Sequence, residues 1–129
     1  MRHLRSRGKL GRPTDQRMAL VRGLVSALFI EGHVETTLAR AKSAQTMAEK
    51  LLVRARRGRL HDLRLVARVI WGKRAFKALR EKVVPSLPAR NCGYTKLVRV
   101  RRRRGDGSII ARLYIPGHPS LREAEAAEE

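Results

Sequence analysis

Residues 93–115 read GYTKLVRVRRRRGDGSIIARLYI, and their apolar side chains recur at every second position rather than every third or fourth. Tyr94, Lys96, Val98 and Val100 alternate with Thr95, Leu97, Arg99 and Arg101. Past Gly105-Asp106-Gly107, the residues Ile109, Ala111, Leu113 and Ile115 share one face. A glycine-flanked aspartate suits the backbone of a tight turn, so the stretch predicts a β-hairpin. Pro116 and Pro119 end it, since proline has no amide hydrogen to give to a strand ladder.

Before Tyr94 the apolar period is helical. Pro13-Thr14-Asp15-Gln16 reads as a helix start with Thr14 as its cap, after which Met18, Val21, Val25, Leu28 and Phe29 recur at spacings of three and four until Gly32. The short β-prone segment HVETT, His33 to Thr37, predicts one strand between helices. Thr37 can cap a second helix whose stripe is Leu38, Ala41, Ala44, Ala48, Leu51 and Ala55, ending at Gly58. Its opposite side carries Arg40, Lys42, Lys50, Arg54 and Arg57. A third helix from about Leu60 is expected to bury Leu63, Ala67 and Ile70 or Trp71 before Gly72; a fourth, with Phe76, Leu79 and Val83, is expected to end at Pro85. The fold class read from this pattern is α+β: about four helices around a small three-stranded sheet that contains the C-terminal hairpin.

Three segments are expected. Residues 1–12, MRHLRSRGKLGR, are basic and glycine-rich with no apolar period, and read as an extended arm. Residues 13–115 form a single domain, and residues 116–129 an acidic, flexible tail. At about 3.3 Å per residue the arm reaches roughly 40 Å, farther than the body can follow.

The charge balance then bounds the function. Thirty Lys and Arg against 11 Asp and Glu leave a formal charge of +19 on 129 residues, which points to a polyanionic partner. Arginine outnumbers lysine 23 to 7, and the guanidinium forks onto phosphate in a way an ammonium cannot. Aromatic residues make up only 4% of the chain, too few for base stacking to dominate. Cys92, the single cysteine, excludes an internal disulfide and any cysteine-based zinc site. The apolar run free of charge from Gly23 to Ile30 is far short of a bilayer span, so no membrane is expected.

Two cationic projections carry the candidate contacts. One is the arm with the first helix: Arg2, His3, Arg5, Arg7, Lys9, Arg12, Arg17 and Arg22. The other is the hairpin: Lys96, Arg99, Arg101, Arg102, Arg103 and Arg104, with Arg112 beside them and Tyr94 at the entrance. Lys42 joins them from the second helix. Cations this dense repel one another and favour a counter-polyanion. Competing motifs fare worse. Gly8-Lys9 fails the phosphate-loop template, because His3 stands where that loop needs glycine and Leu10 where it needs Ser or Thr. Arg104-Gly105-Asp106 matches an adhesion tripeptide but is better explained by the turn. His3, His33, His61 and His118 lack metal-ligand spacing, so neither metal nor cofactor is expected. A ribonuclease pairing His33 or His61 with a lysine is weighed at about one in ten against an exposed or phosphate-contacting histidine, and no catalytic residue is assigned.

Five ordered motifs carry a resemblance over about residues 1–115: MRH with the basic glycine-rich run, GRPTDQRMALVRGLVSAL, VETTLARAK, GRLHDLRLVAR, and GYTKLVRV followed by RRGD and ARLYI. In that order they resemble the bacterial-type large-subunit ribosomal protein L17 family, with RPTDQR closer to its cyanobacterial and plastid branch. The resemblance implies no catalysis and a place on large-subunit ribosomal RNA near the exit of the nascent-peptide tunnel. Neighbours there would be ribosomal proteins L22 and L32. It implies a ribosome of the bacterial cytoplasm or, for an organellar chain, of a plastid or mitochondrial matrix. The family's RNA-facing arm maps onto Arg2, His3, Arg5, Arg7, Lys9 and Arg12, and its Thr-Thr junction onto Thr36 and Thr37. Cys92 stands where the family has the first glycine of Gly-Gly-Tyr-Thr.

The expected mechanism is therefore structural: arm and hairpin neutralise and bridge phosphates of different RNA segments, while the aliphatic helices set their separation. No second copy of the chain is expected. A DNA-packaging protein is the competing class; it shares the charge but calls for a dimer with a groove-reading helix or wedge.

Overall fold

A computed structural model of the chain describes His3 and residues 8–128, with the backbone alone for Ala124, Glu125 and Glu128. The alternating stretch forms the hairpin, β2 (Lys96–Arg102) and β3 (Ile109–Tyr114), and HVETT forms β1 (His33–Thr37). The antiparallel sheet has the order β1-β3-β2, with Glu35 opposite Arg112 and Val98 opposite the same arginine on the far side. A register shift between Arg99 and Arg101 marks a bulge, which keeps Val98 and Arg101 on the same face. Ala111, Leu113 and Ile115 point into the core as the period predicts.

Against that inner face lies α2 (Leu38–Arg57), whose Ala41, Ala44, Ala48 and Ala55 are buried together with Leu51 and Leu52. Alanine adds no side-chain bulk beyond Cβ, so a 20-residue helix can sit close against both sheet and neighbouring helix. The neighbour is α1 (Thr14–Glu31), which buries Val21, Val25, Leu28 and Phe29. Both helices end on left-handed glycines, Gly32 at φ 82° and Gly58 at φ 69°, as expected of C-terminal stops. Thr37 occupies the N-cap position of α2, but its hydroxyl makes no capping hydrogen bond. At α1 the cap position belongs to Pro13 instead; Thr14 is already helical, and its hydroxyl accepts from the Arg17 guanidinium at 3.4 Å.

The third helix, α3 (Leu60–Val69), corrects the expected phase. Its buried residues are Asp62 and Val66, followed by Ile70, whereas Leu63 is half-buried, Ala67 is exposed and Trp71 is 53% exposed. The next helical stretch also runs past its expected end. From α4 (Lys73–Ala78) it widens into a π turn over Leu79–Val83 and continues as α5 (Val84–Ser86). Pro85 cannot donate to the carbonyl four residues back and crowds it; the wider turn, with the Val84 amide donating to the Leu79 carbonyl, carries the chain through.

After β3 the chain does not simply run out. Gly117 turns at φ 85°, His118 is fully buried, and α6 (Pro119–Glu128) follows. The imidazole works at both nitrogens: Nδ1 accepts the Ser120 amide at 3.2 Å, so Nε2 carries the hydrogen and donates to the Phe29 carbonyl at 3.1 Å. Proline at the first helical position is a helix-start signal, here masked by its second meaning as a strand terminator.

Burial, and then the nearby Lys82 charge, push the His118 pKa below its ordinary value; the Phe29 carbonyl and the Glu123 and Glu31 carboxylates oppose this. The folded chain thus holds the ring neutral where the unfolded chain accepts a proton. The stabilisation is complete above the ordinary histidine pKa of about 6.5 and is lost as pH falls through the lowered folded value. Urea midpoints measured from pH 7.5 to 5 are expected to fall. Replacing His118 with Leu flattens that part of the profile, and an unchanged slope in the variant removes His118 as its cause.

Candidate nucleic-acid interface

The hairpin owes its position to two anchors at its entrance. Glu49, on α2, accepts the Tyr94 amide at 3.2 Å with one carboxylate oxygen; with the other it accepts the Thr95 amide at 2.7 Å and the Thr95 hydroxyl at 2.5 Å. The Tyr94 hydroxyl donates to the Arg90 carbonyl and accepts from the Arg56 guanidinium at 2.8 Å, with that guanidinium 5.9 Å from the ring centre. Tyr94 is therefore core, 2% exposed, and presents no ring face to a ligand. This corrects its place among the sequence-derived contacts. The positive φ in this approach falls on Gly93, at 72°, and Cys92 is exposed without one.

At the tip, the backbone and Asp106 define a turn that holds itself. The Arg103 amide donates to the Ser108 carbonyl at 2.8 Å and the Gly107 amide to the Arg103 carbonyl at 2.9 Å. Asp106 accepts from Arg103 Nε at 3.0 Å and Nη2 at 2.6 Å, and from the Ser108 amide and hydroxyl at 3.1 and 2.7 Å. The Arg103 hydrogen bonds, then those from Ser108, hold the Asp106 carboxyl far below the usual carboxylate range. The Arg104-Gly105-Asp106 tripeptide is thus accounted for by the turn.

On the outer face of the sheet, Glu35 takes Arg112 Nη2 at 2.6 Å and Arg101 Nη1 at 3.3 Å. Hydrogen bonds from Arg112, and next from Arg101, lower the Glu35 pKa. Arg101, Arg103 and Arg112 are the cations that meet a carboxylate within 4 Å among the described residues. Lys96, Arg99, Arg102 and Arg104 stand exposed around them with no such partner.

The second group gathers between the helices. Arg17 of α1, Lys42 and Lys50 of α2, Gly8 from the root of the arm and Leu97 of β2 line one groove of about 590 Å³. Lys9 and Arg12 flank a turn closed by the Arg12 amide on the Lys9 carbonyl at 3.1 Å, and half-buried Leu10 moors that turn to the core. Thr36 and Thr37 lie half-buried at the end of β1, where α2 begins with no capping side chain and no acid in its first turn. Such a helix start offers unsatisfied amides and the positive end of a dipole to an anion. His3 is exposed; Arg2, Arg5 and Arg7 lie outside the described residues. Arg22 is half-buried on α1, and its Nε hydrogen has no acceptor among the described residues. Among the described residues no cluster of His, Cys, Asp and Glu could hold a metal ion, and no helix is long and apolar enough to cross a membrane.

The arrangement is a set of exposed cations carried on a sheet and two helices, and no nucleophile, base and acid are grouped among the described residues. The chain is similar in sequence to known proteins. The family of ribosomal protein L17 matches over residues 20–115. The large ribosomal subunit protein bL17 of Clostridium acetobutylicum is 44% identical over 102 residues, which is 79% of this chain and 90% of that protein. The proteins of the same name from Clostridium perfringens and Clostridium botulinum are each 43% identical over the same shares.

Proposed function

The chain belongs to the ribosomal protein L17 family, and from that premise we propose that it binds and bridges large-subunit ribosomal RNA through Arg and Lys contacts to phosphate. It is a structural constituent of the large ribosomal subunit and not an enzyme. The observation that carries the proposal is the excess of cations that meet no acid partner among the described residues: Lys96, Arg99, Arg102 and Arg104 on the hairpin, and Arg17, Lys42 and Lys50 in the groove. An unpaired cation on a surface of net charge +19 keeps its full attraction for phosphate. The basic arm, residues 1–12, adds its cations to that contact and reaches between RNA segments the body cannot enter. The family resemblance supports a place near the nascent-peptide tunnel exit, beside L22 and L32.

Binding to large-subunit ribosomal RNA, followed by filter retention at increasing potassium chloride, tests this reading. With about 6–10 phosphate contacts, log affinity falls against log salt with a slope near −5 to −9. Competing duplex DNA of equal length is expected to displace the protein less well than ribosomal RNA. A slope near zero removes the mechanism, and equal competition transfers it to nucleic acid in general. Cross-links from the assembled particle to neighbouring proteins test the location.

A further inference from the structure

Trp71 is the chain's one tryptophan, and over half of its surface faces solvent although the preceding Ile70 is buried. An exposed indole on a ribosomal protein of few aromatics is unexpected unless it meets something. It is also firmly held. Its amide donates to Ser26 Oγ at 3.0 Å, and the Ser26 hydroxyl in turn donates to the Arg22 carbonyl at 2.8 Å. Its six-membered ring rests over α1 at Gly23, where an added Cβ would lie 3.6 Å from Cζ3. A glycine at that helix position lets the ring approach the backbone.

The ring forms one wall of an open groove of about 510 Å³, whose other residues are Arg12, Gln16, Ala19, Leu20, Gly23 and Leu24. The groove thus combines an aromatic face, an aliphatic floor, one amide and one cation, with no carboxylate in its lining. Lys73 and Arg74, both exposed, follow the ring in the chain. Arg22 lies one turn before Ser26 on the same side of α1, and its Nε meets no acceptor among the described residues.

We propose that this groove receives an unpaired nucleobase of RNA stacked on Trp71, with Arg12 on a flanking phosphate and the Gln16 amide at the base edge. A rigid ring loses little entropy on stacking, and any base offers a π face. The surrounding cations favour a nucleotide over an apolar protein side chain as the occupant. The inference rests on the RNA-binding reading but adds a contact that duplex phosphates alone cannot make.

The lone tryptophan reports on the site directly. The full-length chain is titrated with single-stranded oligouridylate and oligoadenylate, a duplex RNA of equal length, and inorganic polyphosphate, following indole fluorescence and ligand anisotropy together. Single-stranded RNA is expected to quench the indole strongly, and duplex and polyphosphate weakly. Trp71→Ala is expected to weaken single-strand binding by about 5- to 100-fold and leave duplex binding unchanged, while Trp71→Phe retains most of the affinity. Binding by anisotropy without quenching overturns the groove and leaves the phosphate reading standing. Quenching equal to that by polyphosphate overturns stacking in the same way, as does a Trp71 cross-link to protein alone in the assembled particle. Absence of binding to every RNA overturns both readings.

Discussion

Replacing Gly32 with alanine is expected to destabilise the protein by about 2–5 kcal/mol, the largest stability effect of the glycine-to-alanine changes in this chain, because no other glycine's added Cβ meets an atom closer than 3.0 Å. Two terms combine. Gly32 ends α1 at φ 82°, a conformation that costs a residue with a Cβ about 1–2 kcal/mol. A Cβ at that position would also lie 2.7 Å from both Cγ and Nδ1 of His118, so the imidazole would have to move out of a close-packed site, at about 1–3 kcal/mol. The ring cannot move alone, because its two nitrogens tie the end of α1 to the start of α6. Gly32 further accepts the Ile115 amide at 3.0 Å, so the end of β3 is drawn into the same disturbance. Gly58→Ala is the control. It has a similar φ, 69°, but the nearest atom is 4.0 Å away, and only the backbone strain of about 1–2 kcal/mol remains. Thermal and urea unfolding of both variants measure the difference; equal losses would falsify the role given to His118.

The largest effect on binding is expected from removing the hairpin's unpaired cations together. Arg99, Arg102 and Arg104 hold no carboxylate among the described residues, so changing all three to alanine is expected to leave the ion pairs described above intact and the unfolding midpoint close to that of the parent chain. If each meets one phosphate, the salt slope becomes shallower by about 2–3, and affinity at 0.1 M salt falls by about 10²- to 10³-fold, converging with the parent near 1 M. Arg101 and Arg112 are expected to matter less, because each already shares Glu35. Filter binding across a salt series separates the two sets; a triple variant with an unaltered slope places the RNA elsewhere on the surface.

Much of this architecture is legible in the chain because the deciding signals are local. HVETT is bounded by a glycine and a helix start, and β1 spans the same residues, His33–Thr37. The stops at Gly32 and Gly58 follow from a conformational need that one residue type meets. The errors come from interactions that span the sequence. In α3 two apolar stripes compete, one through Leu63 and Ala67 and one through Val66 and Ile70, and the second wins although it also buries Asp62. Tyr94 reads as a contact within a basic hairpin, yet partners on other elements, Glu49 and Arg56, hold it inside. The density of cations was visible, but not which of them an acid captures. Glu35 reaches arginines 66 and 77 positions away, a pairing that only strand register creates.

The Asp106 turn has a consequence for the order of events when the particle is built. Its four hydrogen bonds from Arg103 and Ser108 shape the loop before any partner arrives. A ready-made tip gives up little freedom on landing. On the proposed RNA-binding reading, the hairpin can therefore act as an early foothold. Loosening the tip with Asp106→Ala should slow the first encounter more than it weakens the finished particle.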